Sequence, residues 1–106
     1  MKVKINELRQ LFTEKSCDNS HWIIGKNYLI RTVTMIQVGK LEKITANEIV
    51  LSNASWIADT GRFAESLLTG QFSEVELFNP KFPCIIGRGA LVDAQIFDYK
   101  LPNATK

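Results

Sequence analysis

Polar and apolar residues are arranged differently in the first part of this chain and in the rest. In residues 1–16 apolar side chains recur near helical spacing, and charged residues fill the gaps between them. The apolar positions are Val3, Ile5, Leu8, Leu11 and Phe12. This spacing predicts an N-terminal amphipathic helix over residues 1–16. Over residues 26–100 β-branched residues are frequent and short turn-forming runs interrupt them, which predicts a β-rich core.

The first part of the core predicts a meander of antiparallel strands. The run Tyr28–Val38 contains no proline and is rich in β-branched residues, so it predicts one long strand with a bend or bulge at Gly39. A turn at Thr45–Asn47 would send the chain back along Glu48–Leu51, because short connections favour neighbouring strands. The polar run Ser52–Ser55 predicts a break after that strand.

The second part of the core predicts one short helix and the remaining strands. Trp56–Ala58 predicts a brief strand, Asp59 and Thr60 are good N-cap residues, and Gly70 lies where a helix would stop. Three further strands are predicted at Glu74–Phe78, Cys84–Ala90 and Leu91–Tyr99. The predicted fold class is therefore α+β: a small twisted antiparallel sheet or half-barrel, with an N-terminal helix and one short helix packed on the sheet. The 106 residues form a single domain.

Composition narrows the classes of function. Hydrophobic residues make up 45% and charged residues 23% of the chain, and the net charge is +2. This balance argues against a nucleic-acid partner. No apolar run approaches the ~20 residues that span a bilayer, and the charged N-terminus does not resemble a signal peptide. We therefore expect a cytoplasmic protein without a membrane partner. Cys17 and Cys84 are expected to be reduced and unpaired.

The tripeptide Asp59-Thr60-Gly61 raises an enzymatic alternative. In aspartic proteases two such aspartates share a proton, because adjacent carboxylates cannot both ionise. The chain would supply one aspartate and dimerise as retroviral-type proteases do, and Cys84–Arg88 resembles a second segment of that family. Arg62 stands where that family has a small residue. Only 28 positions separate Asp59 from Gly87, which is too few for a flap hairpin. A turn with Asp59 as N-cap is the structural alternative.

Two arginines beside glycines suggest a site for an anion. Arg62 follows Gly61, and Arg88 lies between Gly87 and Gly89. Glycine allows the backbone to approach a phosphate, and the guanidinium fork matches phosphate oxygens. The only histidine, His21, lacks partners at metal-ligand or catalytic-triad spacing, so no metal, no cofactor and no catalytic residue is predicted.

Most of the core resembles a family of small uncharacterised proteins encoded by bacteriophages and mobile elements. The segments that carry the resemblance are Ile30–Met35, Val38–Leu41, Glu48–Leu51, Ala54–Phe63 and Gly87–Ala94. A looser pattern is similar to phage anti-defence sponges, the oligomeric proteins that sequester cyclic-nucleotide signals of Thoeris or CBASS immunity. The resemblance implies a non-enzymatic homo-oligomer that binds a small phosphorylated nucleotide.

In that interpretation seven residues form the candidate ligand site. Arg62 and Arg88 would hold phosphates, Asp59 or Thr60 would hydrogen-bond ribose or base, and Trp56 or Phe63 would stack on the base. Arg31, in a segment shared with the family, completes the set. The alternative function is a protein-binding inhibitor or assembly module that acts on a host protein through an exposed β edge or through the N-terminal helix. The dimeric retropepsin-like protease is the third.

Overall fold

The computed structural model describes residues 21–106, so the predicted helix over residues 1–16 and the Cys17 thiol lie outside the described residues. The strands are β1 (Asn27–Thr32), β2 (Ile36–Ile44), β3 (Glu48–Asp59), β4 (Glu74–Leu77), β5 (Cys84–Gly87) and β6 (Leu91–Ile96). A short helix, α1 (Phe63–Thr69), follows β3, and a 3-10 turn (Arg88–Ala90) joins β5 to β6. The described part of the chain contains no helix that is both long and apolar enough to cross a membrane.

All six strands belong to one antiparallel sheet, in the order β4-β3-β2-β1-β6, with β5 also paired to β3. The 12-residue strand β3 carries both β4 and β5. Its N-terminal part pairs with β5, and its C-terminal part pairs with β4. Because β5 and β6 are joined only by the 3-10 turn yet pair with β3 and β1 respectively, the sheet must curl. The predicted α+β class and antiparallel sheet are confirmed in the described residues.

Two apolar clusters form on opposite faces of the sheet, because successive side chains of a strand point to opposite sides. The first cluster, which we name the inner core, draws its residues from β1, β2, β3 and β5. Its members are Tyr28, Ile30, Leu41, Ile49, Leu51, Ala54 and Ile86. The second cluster, which we name the outer core, contains Leu29, Val38, Ile57, Phe72, Val75 and Phe97. Helix α1 packs on the outer core through Phe63 and Leu67. Strand β1 is therefore buried on both faces.

The predicted long strand Tyr28–Val38 is wrong, because a turn divides it. The N–H of Thr32 donates to the carbonyl of Met35 at 2.8 Å, and the N–H of Met35 donates to Oγ1 of Thr32 at 3.1 Å. The threonine hydroxyl thus closes a tight turn whose Val33 side chain is exposed. The turn contains no glycine, proline or asparagine, so no residue typical of turns indicates it in the sequence.

The predicted break at Ser52–Ser55 is also wrong, because β3 runs through it. Asn53 adopts a left-handed backbone (φ 50°), and the register between β2 and β3 shifts on this stretch. Asparagine tolerates this conformation better than most residues. The irregularity predicted at Gly39 is confirmed, since the register shifts between Val38 and Lys40. A β-bulge therefore absorbs the polar residues without ending the strand.

Candidate functional site

The turn between β3 and α1 is closed by Asp59. The N–H of Gly61 donates to Asp59 Oδ1 at 2.8 Å, and the N–H of Ser73 donates to the Asp59 carbonyl at 2.9 Å. Gly61 has a φ of 73°, in the left-handed region. The helix N-cap is Arg62, without a side-chain cap bond, so the prediction of Asp59 or Thr60 as N-cap is wrong. Asp59 instead holds the turn that precedes the helix, which is a structural role.

Arg62 and Thr60 border a small pocket at this turn. Its volume is about 230 Å³. Three of the residues that line it carry hydroxyl groups, namely Ser66, Thr69 and Ser73. Arg62 is exposed, and within residues 21–106 its guanidinium makes no ion pair or hydrogen bond. The pocket is polar but smaller than the ~300 Å³ at which pockets for drug-sized ligands begin.

Arg31 is bound to a carboxylate that the sequence did not reveal. Its Nε donates to Asp93 Oδ1 at 2.7 Å and its Nη2 donates to Asp93 Oδ2 at 2.5 Å, which makes a bidentate pair. The guanidinium also lies 5.1 Å from the centre of the Phe63 ring. Arg31 and Phe63 are therefore brought together as the sequence predicted for one site. Arg31, Phe63 and Asp93 line a pocket of about 250 Å³. However, the guanidinium fork of Arg31 is already occupied by Asp93, so it does not offer a free cation to this pocket.

The hydrogen bond from Arg31 lowers the pKa of Asp93 below its usual value. We predict that Arg31→Gln returns this pKa toward the ordinary range of an aspartate. Carboxyl carbon chemical shifts followed over a pH titration by NMR would measure it. Arg62→Gln is the matched control, since it removes an arginine that does not contact Asp93. An unchanged Asp93 pKa in Arg31→Gln would contradict the pairing.

The same pair gives a direction to the pH dependence of stability. The pKa of Asp93 is lower in the folded chain than in the unfolded chain, so the pair stabilises the fold above the unfolded-state pKa. That contribution is lost as the pH falls through the folded-state pKa. Both side chains are substantially exposed, at 41% and 50%, so solvent screens the pair and its contribution is small.

Arg88 lies away from this turn, near the opposite end of β3. The Nη1 of Arg88 donates to the carbonyl of Thr45 at 2.6 Å, and its N–H donates to the carbonyl of Asn47 at 2.9 Å. These bonds tie the 3-10 turn to the turn between β2 and β3. Since an extended strand rises about 3.3 Å per residue, β3 separates Arg88 from Arg62 by roughly 30 Å. Trp56, in β3, is 38% exposed. Within one chain the two glycine-flanked arginines therefore do not converge.

The C-terminal tail, residues 97–106, covers part of the sheet and creates a larger cavity. Lys106 and Val75 exchange two backbone hydrogen bonds, at 3.0 and 3.1 Å, so the tail lies along the outer edge of β4. Leu101 packs on the outer core. The side-chain amide of Asn27 donates to the carbonyl of Tyr99 at 3.1 Å. The tail is thus held at both ends and in the middle.

The cavity beside the tail, which we name the tail groove, has a volume of about 450 Å³. Its lining residues are Asn27, Asn53, Ala54, Leu77, Phe78, Pro80, Lys100, Leu101, Pro102 and Asn103. Three carboxamides and one ammonium group thus accompany mainly apolar walls. None of these residues was predicted from the sequence to belong to a site. They lie in separate parts of the chain, namely β1, β3, the end of β4 with the loop after it, and the tail. The left-handed Asn53 was within the polar run that the sequence marked, but only the fold places it at a cavity.

The described residues offer no alternative built on a metal or a reactive thiol. Within residues 21–106 no three His, Cys, Asp or Glu side chains are grouped so that they would hold a metal ion. Partial burial raises the pKa of the Cys84 thiol, which disfavours the thiolate that a nucleophile requires. The arrangement of the site is suited to binding through hydrogen bonds, apolar contact and positive charge.

Comparison with known proteins gave no match to a family model, to a curated protein or to a solved structure. The resemblance to proteins of bacteriophages and mobile elements therefore stays a prediction from the sequence.

Proposed function

We propose that the protein is a non-enzymatic binding protein that captures a small phosphorylated nucleotide in the tail groove. The observation that carries this proposal is the combination of apolar walls, three carboxamides and one lysine in a single cavity of about 450 Å³. The biological setting follows from the family resemblance: a phage-encoded homo-oligomer that sequesters a cyclic-nucleotide signal of bacterial immunity, in the cytoplasm of the host.

The tail groove fits such a ligand better than the turn pocket beside Arg62 does. Small-molecule sites are mostly apolar cavities of about 300–1,000 Å³ with a few polar groups that fix orientation. The carboxamides of Asn53 and Asn103 offer donors and acceptors to a base edge, and Phe78 and Leu77 offer apolar contact to its faces. Lys100 supplies a positive charge for a phosphate at the rim.

The arginines retain a narrower role in this proposal. Arg31 is occupied by Asp93, and Arg88 donates to a backbone carbonyl. Arg62 has an unoccupied guanidinium among the described residues, but its own pocket is small. Convergence of Arg62 and Arg88 on one phosphate group requires two copies of the chain, because one chain holds them at opposite ends of β3.

Isothermal titration calorimetry with cyclic dinucleotides, cyclic trinucleotides and cyclic ADP-ribose isomers tests the proposal. We expect one nucleotide to bind, and Lys100→Gln to weaken its binding roughly threefold to tenfold, the range for a solvent-exposed charged contact. Arg62→Gln is the control and should leave affinity within about twofold, since Arg62 is not in the tail groove.

The outcomes separate the sites. No heat with any nucleotide would remove the proposal. A loss confined to Arg62→Gln would move the ligand to the turn pocket and remove the tail groove from it. Equal losses in both variants would indicate a general electrostatic attraction rather than a site.

One observation favours the second candidate function, a protein-binding or assembly module. Strand β6 is paired with β1 on one side only, and no other segment of residues 21–106 pairs with it. An open strand edge accepts an added strand from a partner.

A further inference from the structure

Among residues 21–106, one edge of β6 pairs with no other strand, and this open edge carries apolar side chains beside its backbone groups. Val92 is 59% exposed and Ile96 is 40% exposed. Proteins usually protect an edge strand with lysine, proline or an unpaired charge. Strand β6, with the sequence LVDAQI, has no lysine or proline, and its one charge, Asp93, is bound by Arg31. Nothing in the sequence of this strand therefore opposes pairing.

The direction of the free backbone groups follows from the pairing with β1. The N–H of Phe97 donates to the carbonyl of Asn27 at 2.8 Å. Bonded and non-bonded pairs alternate in an antiparallel ladder, so the backbone N–H and C=O groups of Gln95 and Asp93 point to β1. The N–H and C=O groups of Ala94 and Ile96 consequently point to the open edge. The register shifts just beyond Asp93, and Val92 at this bulge has no facing residue on β1.

We infer that a second copy of this chain adds to the sheet through β6, antiparallel and across a two-fold axis at Ala94. In this register Ala94 faces Ala94 of the partner subunit, and Val92 faces Ile96 of the partner subunit. Asp93 then faces Gln95 of the partner subunit on the other side of the sheet. Because the two strands are identical, each of these pairs occurs twice except the pair on the axis.

Neighbouring registers are less favourable. A shift by two residues one way places Asp93 opposite Asp93 of the partner subunit, and like charges directly opposite each other destabilise a sheet. A shift the other way leaves Val92 without a facing strand. The register centred on Ala94 pairs both exposed apolar side chains, keeps like charges apart and has the smallest side chain of the strand on the axis.

Strand β5 offers a poorer edge for the same purpose. It has four residues against six in β6, and Pro83 precedes it directly, so the residue before it has no N–H to donate. This comparison favours pairing between two β6 strands over pairing of β6 with β5.

Light scattering during size-exclusion chromatography, at micromolar protein concentration, gives the first test. The expected mass is twice the 12.0 kDa of one chain. Val92→Lys should reduce the mass to that of one chain, because an edge lysine opposes strand addition. Circular dichroism would show that this variant keeps its fold, since the side chain is exposed.

Disulfide formation tests the register. With Cys17 and Cys84 replaced by serine, Ala94→Cys should oxidise to a covalent dimer, since residues facing each other lie about 5.5 Å apart at Cα. Gln95→Cys is the matched control. It should not cross-link, because in this register its Cα is more than about 7 Å from its own counterpart.

A monomeric wild-type chain would overturn the inference, and so would efficient cross-linking of Gln95→Cys or a larger ring in which Ala94→Cys fails to cross-link. The inference gives a surface to the homo-oligomer of the proposed function, and its test is separate from nucleotide binding. Val92 and Ala94 lie outside the tail groove, so a monomeric Val92→Lys variant that still binds nucleotide would separate the two proposals.

Discussion

Replacing Phe97 by alanine is expected to lower the free energy of unfolding by about 3–5 kcal/mol. Phe97 is 2% exposed in the outer core. Its ring stacks on Phe72 at 5.5 Å between centroids and meets Tyr99 edge-on at 5.3 Å. The substitution removes apolar burial and leaves two aromatic rings beside a cavity, and the surrounding strands relax only partly. Urea denaturation followed by tryptophan fluorescence would measure the change.

Phe82→Ala is the matched control, because it makes the same chemical change at a side chain that is 66% exposed. We expect its effect to stay within about 0.5 kcal/mol. If Phe97→Ala leaves no folded protein to measure, Phe97→Leu preserves most of the volume and should lie between the wild type and the alanine variant. Similar losses for Phe97→Ala and Phe82→Ala would contradict the placement of Phe97 in the outer core.

The fold could be predicted from the sequence where local signals agree with one another. The turn at Thr45–Asn47, the helix stop at Gly70 and the proline-containing loop before Cys84 are all marked by residues that suit turns. The structure has strand ends or helix ends at each of these places. The predictions from the sequence are wrong where the polarity of the side chains does not match the conformation that the backbone adopts. Ser55 lies in a polar run and is nevertheless fully buried in β3.

The candidate site was less predictable because its geometry depends on pairs that are distant along the chain. Arg31 and Asp93 are 62 positions apart, and only the register between β1 and β6 places them opposite each other. A sequence pattern shows an arginine on a strand but not the carboxylate that occupies it. The tail groove is formed where Lys100 and Asn103 of the tail come together with Asn27 at the start of β1 and Asn53 in the middle of β3. Its polar groups therefore have no common spacing in the sequence.

The predicted convergence of Arg62 and Arg88 illustrates the same limit. Both arginines follow a glycine. The polar run at Ser52–Ser55 predicts a break, so the sequence does not reveal that β3 continues through it. Once β3 is seen to extend over 12 residues, the two arginines belong to opposite ends of the sheet. Only assembly of several chains could bring them together.

Replacing Gly70 by alanine is expected to lower the free energy of unfolding by about 2–4 kcal/mol, from two separate causes. Gly70 ends α1 with a φ of 74°, a left-handed conformation that an alanine adopts at a cost. In addition, its Cβ would lie 2.5 Å from Cγ and 2.8 Å from Cβ of Tyr99. Tyr99 cannot easily move aside, since its hydroxyl donates to the carbonyl of Leu68.

Gly25→Ala separates the two causes. Gly25 also has a left-handed backbone, with a φ of 94°, but an added Cβ would meet no atom within 4 Å. Its expected cost is therefore the conformational part alone, about 1–2 kcal/mol. Thermal and urea unfolding of both variants would give the difference, which measures the contact between the end of α1 and the tail. Equal losses in the two variants would mean that Tyr99 and the tail move aside for the added Cβ. Because Tyr99 lies next to Lys100, the wall of the tail groove would then be adjustable rather than preformed.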